Sequence, residues 1–155
     1  DSFEIHGGCV NVSARHTGVI AESLVVESGL LNVDAREAGI IGDSVLIEQG
    51  SGGRAPGKIR VSVNNAAPEC EELVGIYVDD LLCEWNCEVG VNVNCSCKKG
   101  EAVTCFGILS TSVVGMTRSV GYTVNVSLKK TSPPSAWQPI RSASRERSIC
   151  SATAI

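Results

Sequence analysis

The chain has 155 residues, 43% hydrophobic but only 4% aromatic, and 13 basic against 17 acidic side chains give a formal net charge of −4. A negative balance argues against nucleic acid as the partner, and no apolar run approaches the roughly 20 residues of a membrane span. The length suffices for one domain or two small ones that bury roughly 68–70% of the unfolded surface.

The chain opens at Asp1 with no initiator methionine and no signal-like apolar region, so a processed secreted chain, or one cut from a longer protein, is expected. From residue 8 it repeats itself. GCVNVSARHTGVIAESLVVES (8–28) aligns without gaps on GLLNVDAREAGIIGDSVLIEQ (29–49), and nine of the 21 positions are identical, among them Asn11/Asn32, Val12/Val33, Ile20/Ile41 and Ser23/Ser44. A degenerate third copy starts at Gly50, is delayed by GSGGRAPG, and resumes as KIRVSVNN (58–65). A fixed period in this range signals units that bury their apolar face only by stacking on neighbours. The apolar residues alternate or form short β-branched runs between glycines, too short for amphipathic helices, so each copy reads as about three short strands with Gly18, Gly29, Gly39 and Gly50 at corners. Equivalent residues should then stack in ladders. The expected inner stripe comprises Val10, Val12, Ile20, Val26, Leu31, Val33, Ile41, Ile47, Ile59, Val61 and Val63.

On this period and pattern, residues 8–65 resemble the parallel β-helix repeats of large secreted and surface proteins, a group that includes adhesins, tailspikes and polysaccharide-cleaving enzymes. The resemblance implies an all-β, β-helix-like solenoid of 21-residue coils and assigns no functional residue. The alternative is an antiparallel β-sandwich built from duplicated hairpins.

Three segments are expected: β-solenoid repeats over 1–66, a cysteine-rich β module over 67–128, and an extended basic arm over 129–155. In the second, ELVGIYVDDLLCEW (72–85) reads as a strand. VGVNVNCSC (89–97) and AVTCFGIL (102–109) read as a hairpin pinned by Cys95, Cys97 and Cys105, and GYTVNVSLK (121–129) as a further strand. The arm, KKTSPPSAWQPIRSASRERS onward, carries Pro133, Pro134 and Pro139 and five basic residues against one acid, which favours an extended chain able to dock on its own body or on a neighbouring copy.

Eight cysteines, Cys9, Cys70, Cys83, Cys87, Cys95, Cys97, Cys105 and Cys150, form an even set, read as disulfides made in an oxidising compartment, with Cys9 and Cys150 bracketing the domain. Three N-x-S triplets begin at Asn11, Asn94 and Asn125, each Asn lying between residues that would point inward, so all three should face solvent and accept glycans.

Other motifs carry competing readings. Gly42-Asp43-Ser44-Val45 looks like the nucleophile block of GDSL-type esterases, but Ser44 is the repeat counterpart of Ser23, and neither His6 nor His16 lies in an Asp-x-x-His setting. Tyr77-Val78-Asp79-Asp80 echoes the metal-holding turn of reverse transcriptases without their palm domain, and reads instead as solvated turn acids. The insert around Gly50–Gly53 lacks a phosphate-loop pattern. Four cysteines between Cys83 and Cys97 depart from usual zinc spacing; Asp34 and Asp43 lack a calcium-loop pattern. No catalytic residue, metal or cofactor is assigned.

The expectation is therefore a secreted, glycosylated, disulfide-bonded, non-enzymatic building block of an extracellular assembly such as a surface filament, coat or wall layer. Its partners would be copies of itself or related chains, met through β-edge stacking and arm exchange, with Trp137, Ile140, Arg141, Arg145 and Arg147 as the arm's anchors. The alternative is a lectin or adhesin module that binds glycans, using Trp85 or Trp137. A polysaccharide-lyase fragment ranks third.

Overall fold

The computed structural model describes residues 1–52, 54–65, 72–84, 86–98, 103–115 and 121–131; for residues 97–98, 113–115, 121–122 and 128–131 only the backbone is described. All regular structure in these residues is β. Ten strands follow in chain order: β1 (Ser2–Ile5), β2 (Cys9–Ser13), β3 (Thr17–Glu27), β4 (Gly29–Ala35), β5 (Ala38–Glu48), β6 (Gly57–Asn65), β7 (Glu72–Cys83), β8 (Glu88–Lys98), β9 (Thr104–Gly115) and β10 (Gly121–Thr131). They alternate between two five-stranded sheets, the first ordered β1-β3-β5-β7-β9 and the second β10-β8-β6-β4-β2.

Every ladder between named strands is parallel, which rules out the antiparallel sandwich. Among the described residues, antiparallel pairing survives only as an isolated bridge, Gln49 to Pro56, that closes the glycine-rich insert. The expected ladders are present: Asn11 pairs with Asn32, Val12 with Val33, Ser23 with Ser44 and Ile20 with Ile41. The hairpin over 89–109 is not. β8 and β9 lie in different sheets, each pairing with the strand two places earlier in the chain, so the cysteine-rich half continues both sheets.

The core lies between the sheets. In the second sheet the apolar rows Leu31–Ile59–Val89, Val33–Val61–Val91 and Ala35–Val63–Val93 are fully or almost fully buried. Facing them in the first sheet are Leu24–Val45–Leu81, Val26–Ile47–Cys83 and Ile40–Ile76. Val10 and Val12 on β2, and Val124 and Val126 on β10, continue the inward rows but are only half-buried, because each stands on an end strand.

Two expectations about orientation are corrected here. Ile20 is 74% exposed and Ile41 is half-buried; both point outward, and Val19 and Ala21 point inward instead. The cause is a bend. Inward positions in β3 are Val19 and Ala21, then Leu24 and Val26, so the alternation slips by one residue at Glu22–Ser23. Ladder pairing skips Glu22, Asp43, Asp79 and Thr111 at this level. Hydroxyls take up carbonyls there: Ser44 Oγ donates to Glu22 O (3.4 Å), and Ser110 Oγ and Thr111 Oγ1 donate to Asp79 O (2.9 and 2.8 Å).

The second correction concerns glycine. Gly29, at φ 149°, does make the corner between β3 and β4. Gly18 and Gly39, however, lie inside strands, in a row with Gly75 and Gly107. A Cβ on Gly18, Gly39, Gly75 or Gly107 would meet Cγ1 of Val33, Val61, Val91 or Val124, respectively, at 2.1–2.2 Å. The glycine row therefore sets how closely the two sheets approach.

Candidate functional site: the polar face of the second sheet

Side chains on a strand alternate between faces, so the V-N-V-S and L-N-V-D patterns that bury valine send asparagine, serine and aspartate to the opposite side. On the outer face of the second sheet these residues form rows across the strands. Asn11, Asn32, Arg60, Gly90 and Thr123 make one, and Ser13, Asp34, Ser62, Asn92 and Asn125 the next. Asn64, Asn94 and Ser127 make a third. Amides bond along the rows: Asn32 Nδ2 donates to Asn11 Oδ1 (2.8 Å), Asn94 Nδ2 to Asn64 Oδ1 (2.9 Å) and Asn125 Nδ2 to Asn92 Oδ1 (3.0 Å). Ser127 Oγ donates to Asn94 Oδ1 (2.5 Å).

This face is concave. A groove of about 760 Å³ runs across it, floored by the asparagine rows and flanked by Lys58, Arg60, Asp34 and Glu88. Lys58 Nζ is held 3.1 Å from Glu88 Oε2, whereas Arg60 is exposed. Gly90 leaves a gap between Arg60 and Thr123, since a Cβ there would meet nothing closer than 3.9 Å. Neutral amides, hydroxyls and a few charges suit hydrogen bonding to a polar, hydroxyl-rich ligand. Among the described residues no cluster of three or more His, Cys, Asp or Glu could hold a metal ion.

The three N-x-S triplets expected to accept glycans converge on this face. Asn11, Asn94 and Asn125 are all exposed on the outer side of the second sheet, as the alternation predicts. Asn11 itself lines the groove.

The other sequence candidates are scattered. Ser44 bonds a backbone carbonyl on the first sheet, while His6 Nδ1 and Nε2 contact Glu27 (2.8 Å) and Glu4 (3.1 Å) and His16 contacts Glu37 (3.0 Å). Each of the pairs His6–Glu27 and His16–Glu37 joins positions one 21-residue period apart. The hydrogen bond to Glu27, assisted by Glu4, raises the His6 pKa above its ordinary 6.5, and the same bond lowers that of Glu27. Tyr77–Asp80 lies in mid-strand β7 and not in a turn: Val78 is buried, and Tyr77, Asp79 and Asp80 face solvent.

No disulfide joins two of the described cysteines. Cys83 extends the Ile5–Val26–Ile47 ladder into the core, and Cys87 and Cys95 are also buried. Burial pushes the Cys87 thiol pKa up. Cys105 is half-buried beside Leu73, and Cys9 is an exposed thiol whose sulfur accepts from Asn32 Nδ2 at 3.6 Å. Cys70, Cys150, Trp85 and the arm's anchors Trp137, Ile140, Arg141, Arg145 and Arg147 lie outside the described residues, as does the side chain of Cys97.

Sequence reasoning missed the groove, because no single segment contains it. The signal was the recurring alternation of apolar residues with polar residues or glycine at 10–13, 31–34, 59–62, 89–92 and 122–125. No helix among the described residues is long and apolar enough to cross a membrane. No known protein family, curated protein or solved structure matches this chain at a significant level.

Proposed function

We propose that the chain is a structural building block of an extracellular assembly, a surface filament, coat or wall layer formed by stacking β edges. In this reading the two sheets are the sides of a short β-solenoid, each coil contributing one strand to each. The strand alternation and the parallel, in-register ladders support it.

One observation carries the proposal. Among the described residues β9 and β10 have a neighbour on one side only, and the inward residues Val124 and Val126 at that end are half-buried. Unpaired edge groups and a half-covered core both favour a further layer of chain. The shorter β1 and β2 offer the complementary edge, and a head-to-tail contact of this kind is open-ended. Glycans on Asn11, Asn94 and Asn125 would all project from one outer face, away from the core, which fits a secreted role. Negative-stain microscopy with sedimentation over a concentration series tests the proposal: filaments or rows growing with concentration are expected, and discrete monodisperse particles at every concentration would refute it.

The groove favours a second reading, a module that binds polar glycans across the asparagine rows. It competes with glycosylation, since a glycan on Asn11 would occupy the same groove. Glycan-array binding by unglycosylated protein that is lost in Arg60→Ala would favour this reading over assembly.

A further inference from the structure

Gly90 stands in the interior of β8 with no packing reason to be glycine. A Cβ on Gly18, Gly39, Gly75 or Gly107 would collide with the facing valine, whereas one on Gly90 would meet nothing closer than Arg60 Cγ and the Ile59 carbonyl oxygen, both at 3.9 Å. Glycine weakens a strand interior and marks a bulge, a tight bend or a place where a ligand approaches the backbone closely. A bulge is excluded here. Glu88–Asn94 pairs residue for residue with Lys58–Asn64 on one side and with Gly121–Ser127 on the other. What remains is approach from outside.

The absent side chain opens a slot in the floor of the polar groove. Arg60 and Thr123 border it across the strands, and Glu88 and Asn92 border it along β8. At ordinary strand spacing these borders lie about 10 Å apart in one direction and about 13 Å in the other, so the flat side of one sugar ring can rest on the Gly90 backbone. Donors surround that position: the Arg60 guanidinium, the Thr123 hydroxyl and the Asn92 amide, whose Oδ1 already accepts from Asn125.

Charge narrows the ligand further. Glu88 is neutralised by Lys58, 3.1 Å away, while Arg60 is exposed and makes no ion pair among the described residues. Asp34 stands on β4, on the side of Arg60 away from Gly90. At the slot itself, therefore, the charge left unanswered is the guanidinium, whose planar fork matches a carboxylate through two parallel hydrogen bonds.

We propose that the slot over Gly90 is a subsite for one acidic sugar ring, which lies on the β8 backbone with its carboxylate on Arg60 and its hydroxyls toward Thr123 and Asn92. The proposal rests on the reading of this face as a glycan-binding groove and names the class of sugar that it selects.

Titration calorimetry on the unglycosylated full chain, with a β-linked glucuronate trisaccharide and its methyl ester as probes, tests it. The ester keeps the rings and hydroxyls and removes the charge. The acid should bind about tenfold or more tightly than the ester, the worth of a charged hydrogen-bond pair. Arg60→Gln should bring the acid down to the level of the ester. Gly90→Leu, which fills the slot from a position with open space around it, should weaken the acid by a similar factor and keep the parent's denaturation midpoint. Arg15→Gln, which removes an exposed arginine outside the groove, should bind like the parent. Equal affinity for acid and ester, or parent-like binding by Gly90→Leu, would overturn the proposal. In either case, glycan binding that Arg60→Ala abolishes would leave the groove reading standing; a parent that binds neither probe and no glycan on an array would remove both.

Discussion

The outer faces of the two sheets rest on the same architecture and end in opposite chemistry. The second sheet turns out asparagine, serine, aspartate and threonine whose amides bond along the rows. The first turns out Ile20, Ile41, Tyr77 and Leu109 beside a short acidic stretch. Behind both lies one apolar core. Stacking therefore constrains the inward positions and leaves the outward ones open to carry a polar groove on one side and an apolar stripe on the other.

Substitutions at matched depths test that division. The largest effect should come from Gly75→Ala, which places a methyl 2.2 Å from Val91 Cγ1 and 2.4 Å from the Gly107 carbonyl, where backbone has to move. Overpacking of this kind costs about 1–3 kcal/mol or more, and urea denaturation should show it as a lowered midpoint. A Gly75→Ala protein as stable as the parent would mean that the glycine row does not set the sheet spacing.

Next in size is Asn94→Ala, which removes the central amide of the Asn64–Asn94–Ser127 row. Net hydrogen-bond contributions are about 0.5–1.5 kcal/mol, and exposure places this one at the lower end. A loss as large as that of Gly75→Ala would make the polar face a structural element in its own right. Gly90→Ala, in the same groove with open space around it, should shift stability by no more than about 0.5 kcal/mol. Comparison of Gly75 with Gly90 separates inner from outer glycine directly.

The smallest effect is electrostatic and couples the residues just before the first repeat to the end of that repeat. His6 has a raised pKa and Glu27 a lowered one, chiefly through their mutual hydrogen bond. With the folded-state pKa of His6 above the ordinary 6.5, its contribution is fully present below 6.5 and is lost as pH rises through the folded value. Glu27, ordinarily at 4.5, contributes above that value and loses its contribution as pH falls through its own lowered one. His6 is exposed and Glu27 partly so, and solvent screening leaves the effect a shallow pH slope. NMR titration should find the His6 pKa above that of an unfolded peptide, and Glu27→Gln should return most of the difference.

Much of this was legible in the sequence. The 21-residue offset placed Asn11 beside Asn32 and Val12 beside Val33, and period-two alternation put Asn11, Asn94 and Asn125 on the outside, because a strand has only two faces. Alternation failed for Ile20 and Ile41: a one-residue slip at the Glu22–Ser23 bend exchanges inside and outside, and composition does not reveal where a strand bends. Cysteine spacing pointed to staples, but spacing alone does not pair cysteines: no disulfide joins two of the described ones, and Cys83, Cys87 and Cys95 are buried in the core.

By itself, then, the sequence determined strand content, parallel stacking of the first repeats and the identity of the core valines, since these depend on local alternation and on a period without gaps. Only the tertiary structure decided that the second half continues the same two sheets. Row spacing grows from 21 residues between Val10 and Leu31 to 28, 30 and 33 between Leu31, Ile59, Val89 and Tyr122. Connections of unequal length erase the period from the sequence while backbone pairing and burial preserve it in space. The groove and the apolar stripe arise the same way, from residues that are distant in sequence and neighbours only across the ladders.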